Sequence, residues 1–294
     1  MTARILVGDV RDVLRTLPDN SVQCVVTSPP YFGLRDYGVA GQIGLEPTPA
    51  EFVATMVEVF REVRRVLRPD GTAWVNLGDS YNANQGSGFD TNRDGGIRKA
   101  VAATPRTYRS KPKDLLGIPW RVAFALQDDG WYLRSDIIWH KPNPMPESVT
   151  DRPTKAHEYL FLLTKSARYF YDADAIREPH ADPSVVDGVY ARSGGVNRAG
   201  YTPETQGFNG SGVVMVDRQY NPAGRNKRSV WTVPTQAYSE AHFATFPEKL
   251  IEPCILAGTS ERGACACCGP PWRRVVDVAY SQSKKTRGRA GDGS

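Results

Sequence analysis

The segment Thr48 to Leu67 lies between two short apolar runs, Val22 to Val26 and Thr72 to Leu77, and this order restricts the architecture more than any other feature of the chain. Thr48 reads as a helix N-cap, Pro49 as the first helical residue, and Glu51 as the partner that closes a capping box. Phe52, Met56, Val59, Phe60, Val63 and Leu67 recur on one face, with Glu58, Arg61, Glu62 and Arg65 largely elsewhere, so the stripe is core packing. Pro69-Asp70-Gly71 is expected to stop the helix. Strand, helix, strand predicts a βαβ unit, and from it a parallel, doubly wound α/β sheet.

The first run leaves the sheet through Thr27-Ser28-Pro29-Pro30-Tyr31. The prolines fix φ and donate no backbone hydrogen bond, which leaves rigid carbonyl acceptors beside an aromatic ring. Such a group suits a planar base that carries an exocyclic amine. The plain alternative is a proline-rich loop after a core strand. Upstream, Ile5-Leu6-Val7 reads as a short strand ending at Gly8-Asp9, and Val10, Val13, Leu14 and Leu17 follow at helical spacing. Asp9 then stands where ligands bind in open α/β folds, a position compatible with simple helix capping.

Ser28-Pro29-Pro30-Tyr31 resembles the catalytic tetrapeptide of amino-group DNA methyltransferases, and the resemblance extends from Met1 to about Gly263. Trp139-His140-Lys141-Pro142-Asn143-Pro144, His157-Glu158-Tyr159 and Thr164-Lys165-Ser166 are similar to later motifs of that family. The resemblance implies a Rossmann-like fold dependent on S-adenosyl-L-methionine, and double-stranded DNA as partner. Ser28, Pro29, Pro30 and Tyr31 would carry catalysis, while Asp9, Thr27, His242, Phe246 and Pro247 would line the cofactor. Serine at the first position leans toward cytosine N4 over adenine N6. Catalysis requires no covalent enzyme intermediate. The family setting further implies a companion restriction nuclease.

A chain of 294 residues, 40% hydrophobic and 23% charged, has the composition of a soluble globular protein with room for one large domain and an insertion. No apolar run is long enough to span a membrane, and the N-terminus is charged too early for a signal peptide. Five cysteines, three crowded at Cys265, Cys267 and Cys268, make no disulfide framework, so a reducing cytoplasm is the default expectation. The net charge of +5 gains meaning only from clustering. It clusters in a polar tract at about 82–113, where Arg93, Arg98, Lys99, Arg106, Arg109, Lys111 and Lys113 face only Asp90 and Asp94. Emerging beside the catalytic edge, this loop suits phosphate contacts; a solvated insertion is the bland alternative. His140 and His157 lack a further ligand at helical or turn spacing, so no metal site is expected.

The expected organisation is a catalytic domain over 1–177, a target-recognition region over 178–228 where apolar periodicity fades, a cofactor-flanking segment over 229–262 with a helix from Glu248 to Leu256, and a cysteine-rich, basic tail over 263–294. Trp131 to Trp139 and His157 to Thr164 read as strands, with Tyr169-Phe170-Tyr171 as an antiparallel neighbour. The permuted family order calls for a cofactor glycine loop after the Glu248 helix, and between Gly258 and Ser294 there is no strand leading to Gly-x-Gly. The fold is therefore expected to be C-terminally incomplete, as a fragment or an early-terminating frame, or else to bind cofactor with a partner chain. Cys265-x-x-Cys268-Gly269 supplies half a zinc knuckle. A DNA-binding protein without catalysis and an RNA methyltransferase are the competing functions.

Overall fold

The computed structural model describes residues 3–82, 111–180, 190–193, 213–216, 221, 223–236, 245–265, 267 and 269–275. The chain divides into two compact units, one of residues 1–172 with 228–272 and one of residues 173–227 with 273–294. The first holds helices α1 (Val10–Arg15), α2 (Pro49–Val66), α3 (Ile118–Asp128) and α4 (Glu248–Gly258), and strands β1 (Val22–Thr27), β2 (Leu67–Leu77), β3 (Tyr132–His140), β4 (His157–Thr164) and β7 (Val230–Thr232). Described parts of the second include a 3-10 turn (Asp174–Ile176), a Glu178–Arg225 bridge, and the antiparallel pair β5 (Tyr190–Ser193) and β6 (Val213–Val216). No helix among the described residues is long and apolar enough to cross a membrane.

The β1–α2–β2 unit forms as expected. Thr48 Oγ1 accepts from the Glu51 N–H while Glu51 returns to the Thr48 N–H, and β1 pairs parallel to β2. The helix does end ahead of Pro69-Asp70-Gly71, at Val66, but these three residues form no turn. The segment is absorbed into β2, where the register jumps from Val22↔Leu67 to Cys24↔Thr72. Gly71 is required there, because a Cβ would lie 2.7 Å from Leu67 Cγ and 2.8 Å from the Gln23 carbonyl.

The five-stranded sheet has the order β1-β2-β4-β3-β7 and is mixed, which revises the all-parallel expectation. β4 runs antiparallel to both β2 and β3. The cause lies in the 141–156 connection, whose prolines exclude the crossover helix that a parallel return needs. Tyr169-Phe170-Tyr171 is no strand either. Phe170 is buried and its N–H bonds the Asp70 carbonyl at 2.8 Å, as a single contact without a ladder.

Helices cover both faces of the sheet. Phe52, Met56, Phe60 and Val63 of α2, with Val122 and Leu126 of α3, close over Ala73, Val75, Leu77, Phe161 and Leu163. On the other face α4 packs against β1 and β2, its last residue seated so that a Gly258 Cβ would lie 2.5 Å from Thr72 Oγ1 and 2.7 Å from Cys24 Sγ. Arg65 ties α1 to α2 through the Leu14 and Leu17 carbonyls and Asp19. The expected strand at Ile5–Val7 does not form. Ile5 and Val7 are 90% and 92% exposed, and the free edge of β1, the sheet's outer strand, has no partner among the described residues.

Candidate active site

Thr27 is the last residue of β1 and pairs with Val75, so Ser28-Pro29-Pro30-Tyr31 leaves the sheet at the carboxyl end of its parallel pair. Neighbouring groups hold the loop in place. Phe32 is buried against Phe52, with ring centroids 5.6 Å apart, and its carbonyl accepts from Ser80 Oγ at 2.9 Å. The Gly33 N–H bonds the Gly44 carbonyl at 2.7 Å. Gly44, at φ +103°, lies so near that a Cβ would stand 3.0 Å from the Tyr31 carbonyl oxygen and 3.3 Å from Pro30 Cβ. Only glycine satisfies both the φ and the space.

Tyr31 does not simply project into solvent. It is half-buried, and its ring lies against Gly78, where a Cβ would be 2.5 Å from Tyr31 Cε2. Its hydroxyl donates toward Glu158 Oε2 at 2.6 Å and Asn76 Oδ1 at 3.0 Å. Burial raises its pKa well above the usual tyrosine value, and the Glu158 charge adds to this; Ser28's side chain and the Gly78 N–H, both facing the phenol oxygen, work the other way. Ser28 and Tyr31 are therefore brought together, with the tyrosine hydroxyl turned to the sheet and part of the residue left exposed.

The second oxygen of Glu158 holds Lys141, whose ammonium also lies 4.3 Å from the Trp139 ring centre. Asn76 Nδ2 donates to the Tyr159 carbonyl at 3.0 Å. Asp79 caps α3, accepting from the Ile118 N–H at 2.9 Å. Half-buried Lys155 has its pKa lowered by burial, against the attraction of Asp79 and Glu158. His157 is likewise lowered by burial and then by Lys155. His140 and His157 are cross-strand partners, and His140 Nδ1 is 3.1 Å from Thr232 Oγ1.

Asp9, expected to line the cofactor, is exposed and caps α1. Hydrogen bonds from the Arg11 guanidinium and N–H hold its pKa at about 2, so it is anionic at neutral pH. Oδ1 takes two of these bonds and Oδ2 one, which leaves Oδ2 acceptor capacity for a nucleoside hydroxyl or amine. Thr27 and Phe246 are half-buried and Pro247 is buried just ahead of α4. His242 lies outside the described residues. A carboxylate acceptor, a hydroxyl and an aromatic ring fit the polar and planar parts of S-adenosyl-L-methionine. An open hollow of about 600 Å³ lies along the loop from Asp36 to Glu46 beside Arg11 and Thr55, and none of the tetrapeptide lines it.

Of the basic tract, Arg93, Arg98, Lys99, Arg106 and Arg109 lie outside the described residues, as does Cys268. Lys111 and Lys113 are exposed, Lys113 pairing with Asp151 at 2.8 Å. Nearby, Arg152 stacks 3.9 Å from the Tyr81 ring centre and pairs with Glu147. Around Cys265 the chain makes a tight turn, with the Gly269 N–H bonding the Cys265 carbonyl and the Cys265 N–H bonding the Pro270 carbonyl, both at 2.9 Å.

Asn76, Gly78, Glu158 and Lys141 belong to the site, and reasoning from sequence gave them no role. A signal existed. Glu158 is the second residue of a strand that is otherwise apolar from Tyr159 to Leu163, and a carboxylate there needs a partner. Nothing local identifies Tyr31 as that partner, since the two lie far apart in sequence.

A family model described as DNA methylase (N6_N4_Mtase) matches residues 22–266. The Type II methyltransferase M.Cfr9I of Citrobacter freundii is 48% identical over 258 residues, covering 87% of this chain and 73% of that one. M.SmaI of Serratia marcescens, also a Type II methyltransferase, is 43% identical over 263 residues, covering 89% and 77%. Among solved structures, a PvuII DNA methyltransferase described as cytosine-N4-specific aligns with a TM-score of 0.52 and 16% identity, over 88% of this chain and 71% of that one.

Proposed function

Because the chain belongs to the DNA methylase family that its residues 22–266 match, we propose that it methylates the exocyclic amine of a base within a specific site of double-stranded DNA, with cytosine N4 as the acceptor. The methyl donor is S-adenosyl-L-methionine, which when bound supplies a methyl group on a positively charged sulfur. The observation that carries the reading is the placement of Ser28-Pro29-Pro30-Tyr31 at the carboxyl end of β1, with the Tyr31 hydroxyl anchored by Glu158 and Asn76. The serine at the head of this tetrapeptide supports cytosine N4 over adenine N6.

An exocyclic amine inside a base pair is blocked, so the base must leave the stack before reaction. The exposed part of Tyr31 then contacts the extruded ring. Ser28 Oγ and the Pro29 carbonyl accept the two amine N–H groups and turn the nitrogen lone pair toward the methyl group, by positioning and fixed dipoles. Asp9, Thr27, Phe246 and Pro247, with His242, hold the donor. Lys111, Lys113 and the basic residues before them bind phosphates, and residues 178–228 read the sequence. By the same reading the chain acts in a restriction–modification pair with a companion nuclease.

Incubation with methyl-labelled S-adenosyl-L-methionine and unmethylated genomic DNA, followed by nucleoside mass spectrometry, should yield N4-methylcytosine. N6-methyladenine would refute the choice of base, and unlabelled DNA would refute transfer by this chain. A second reading is DNA binding without transfer, through the basic residues of the 82–113 tract. It predicts salt-dependent duplex binding and no thermal shift with cofactor.

A further inference from the structure

Glu158 is a carboxylate set into an apolar strand, opposite Trp139 in register, with its side chain 16% exposed beside a Lys141 side chain 18% exposed. A buried ion pair seldom stabilises a fold more than apolar residues of the same size would, so packing alone gives little reason for one here. What the pair does deliver is geometric. Lys141 occupies Oε1, and Oε2 is left 2.6 Å from the Tyr31 hydroxyl.

That contact also fixes the direction of a proton. An ionised carboxylate can only accept, and Asn76 Oδ1 can only accept because its amide nitrogen is committed to the Tyr159 carbonyl. The phenol has one proton, so it points inward to these two oxygens. Its remaining lone pair faces the side where the Ser28 side chain and the Gly78 N–H lie. A serine hydroxyl on that side can satisfy the lone pair only by donating to it, and the serine's own lone pairs are then presented outward. An exocyclic amine brings N–H donors, so a serine facing it with its proton would repel the substrate it is meant to hold.

We infer that Glu158, paired with Lys141, is a positioning residue that fixes the ring and proton of Tyr31 and, through them, turns Ser28 into an acceptor for the base's amine. This rests on the amine-methylation reading above. Glu158→Gln preserves shape while removing the charge, and leaves Asn76 as the main acceptor for the phenol.

With E158Q, kcat for methyl transfer to genomic DNA should fall about tenfold, the scale of a lost charge-assisted hydrogen bond, while KM for S-adenosyl-L-methionine stays near wild type; the thermal midpoint should fall, because Lys141 loses its counter-charge. Without DNA, tetranitromethane, which attacks ionised phenols, should nitrate Tyr31 several-fold faster in E158Q, read by peptide mass spectrometry. An unchanged kcat or an unchanged nitration rate overturns the assignment. In a Y31F background the same substitution should change kcat less than twofold; a full loss there would make Glu158 structural. Should E158Q not fold, Glu158→Asp, which withdraws the carboxylate by one methylene, carries the same expectations. If the wild-type chain transfers no methyl, the functional reading has failed, and the nitration rates alone decide whether Glu158 governs Tyr31.

Discussion

Tyr31 keeps its proton when other tyrosines lose theirs, and this gives the site a signature at alkaline pH. Its pKa in the folded chain is raised above 10 by burial and then by the Glu158 charge, while in the unfolded chain it titrates normally. Above pH 10 the folded state therefore binds more protons than the unfolded one. The stabilisation is present below that pH and lost as pH rises through the folded value. Urea denaturation between pH 9 and 11 should show wild type losing up to about 1.4 kcal/mol per pH unit more than Y31F. Parallel slopes would place the hydroxyl in solvent. The tyrosine itself was legible in the sequence, because two prolines and a ring after a strand are a local pattern. Its orientation was not: the partners Asn76, Gly78 and Glu158 are delivered by the β2–β4 pairing, and no local periodicity encodes which of their side chains converge.

Elements were most legible where their signals are local and redundant. The helix α2 carries a cap, an N1 proline and an apolar stripe that agree with one another, and its bounds fall within a residue of the expectation. Thr48→Ala removes the side-chain acceptor of the Glu51 N–H and should destabilise the fold by about 1 kcal/mol, measurable as a shift in the urea midpoint. A Thr48→Asp variant, which keeps an acceptor, should remain near wild type. Legibility failed where an element depends on its neighbour. Ile5-Leu6-Val7 has strand residues and no partner for its edge among those described, and its apolar side chains are exposed. Pro69-Asp70-Gly71 has turn residues, yet β1 offers a ladder that absorbs them as an irregularity in β2. The prolines of the 141–156 connection had already excluded a crossover helix, and the antiparallel course of β4 follows from that same exclusion.

At the scale of the whole molecule, charge matters through its placement. A net charge of +5 over 294 residues says little, but Arg93, Arg98, Lys99, Arg106 and Arg109 oppose only Asp90 and Asp94 in their tract. Lys111 and Lys113 continue the run into described structure, where they are exposed and Lys113 is shared with Asp151. If this tract meets the duplex backbone, each phosphate contact releases condensed counterions, and the log of the binding constant falls with log salt by about 0.9 per contact. Replacing Arg93, Arg98, Lys99, Arg106 and Arg109 by alanine should then flatten that slope by up to about 4.5, while relative affinities among duplex sequences stay the same. Fluorescence anisotropy of a labelled duplex between about 50 and 200 mM salt covers the range in which such a change is large. An unaltered slope would move the phosphate contacts elsewhere, and half-buried Lys155, near Asp79 and Glu158, would be the next cation to neutralise. A change in sequence preference would mean that the tract reaches bases.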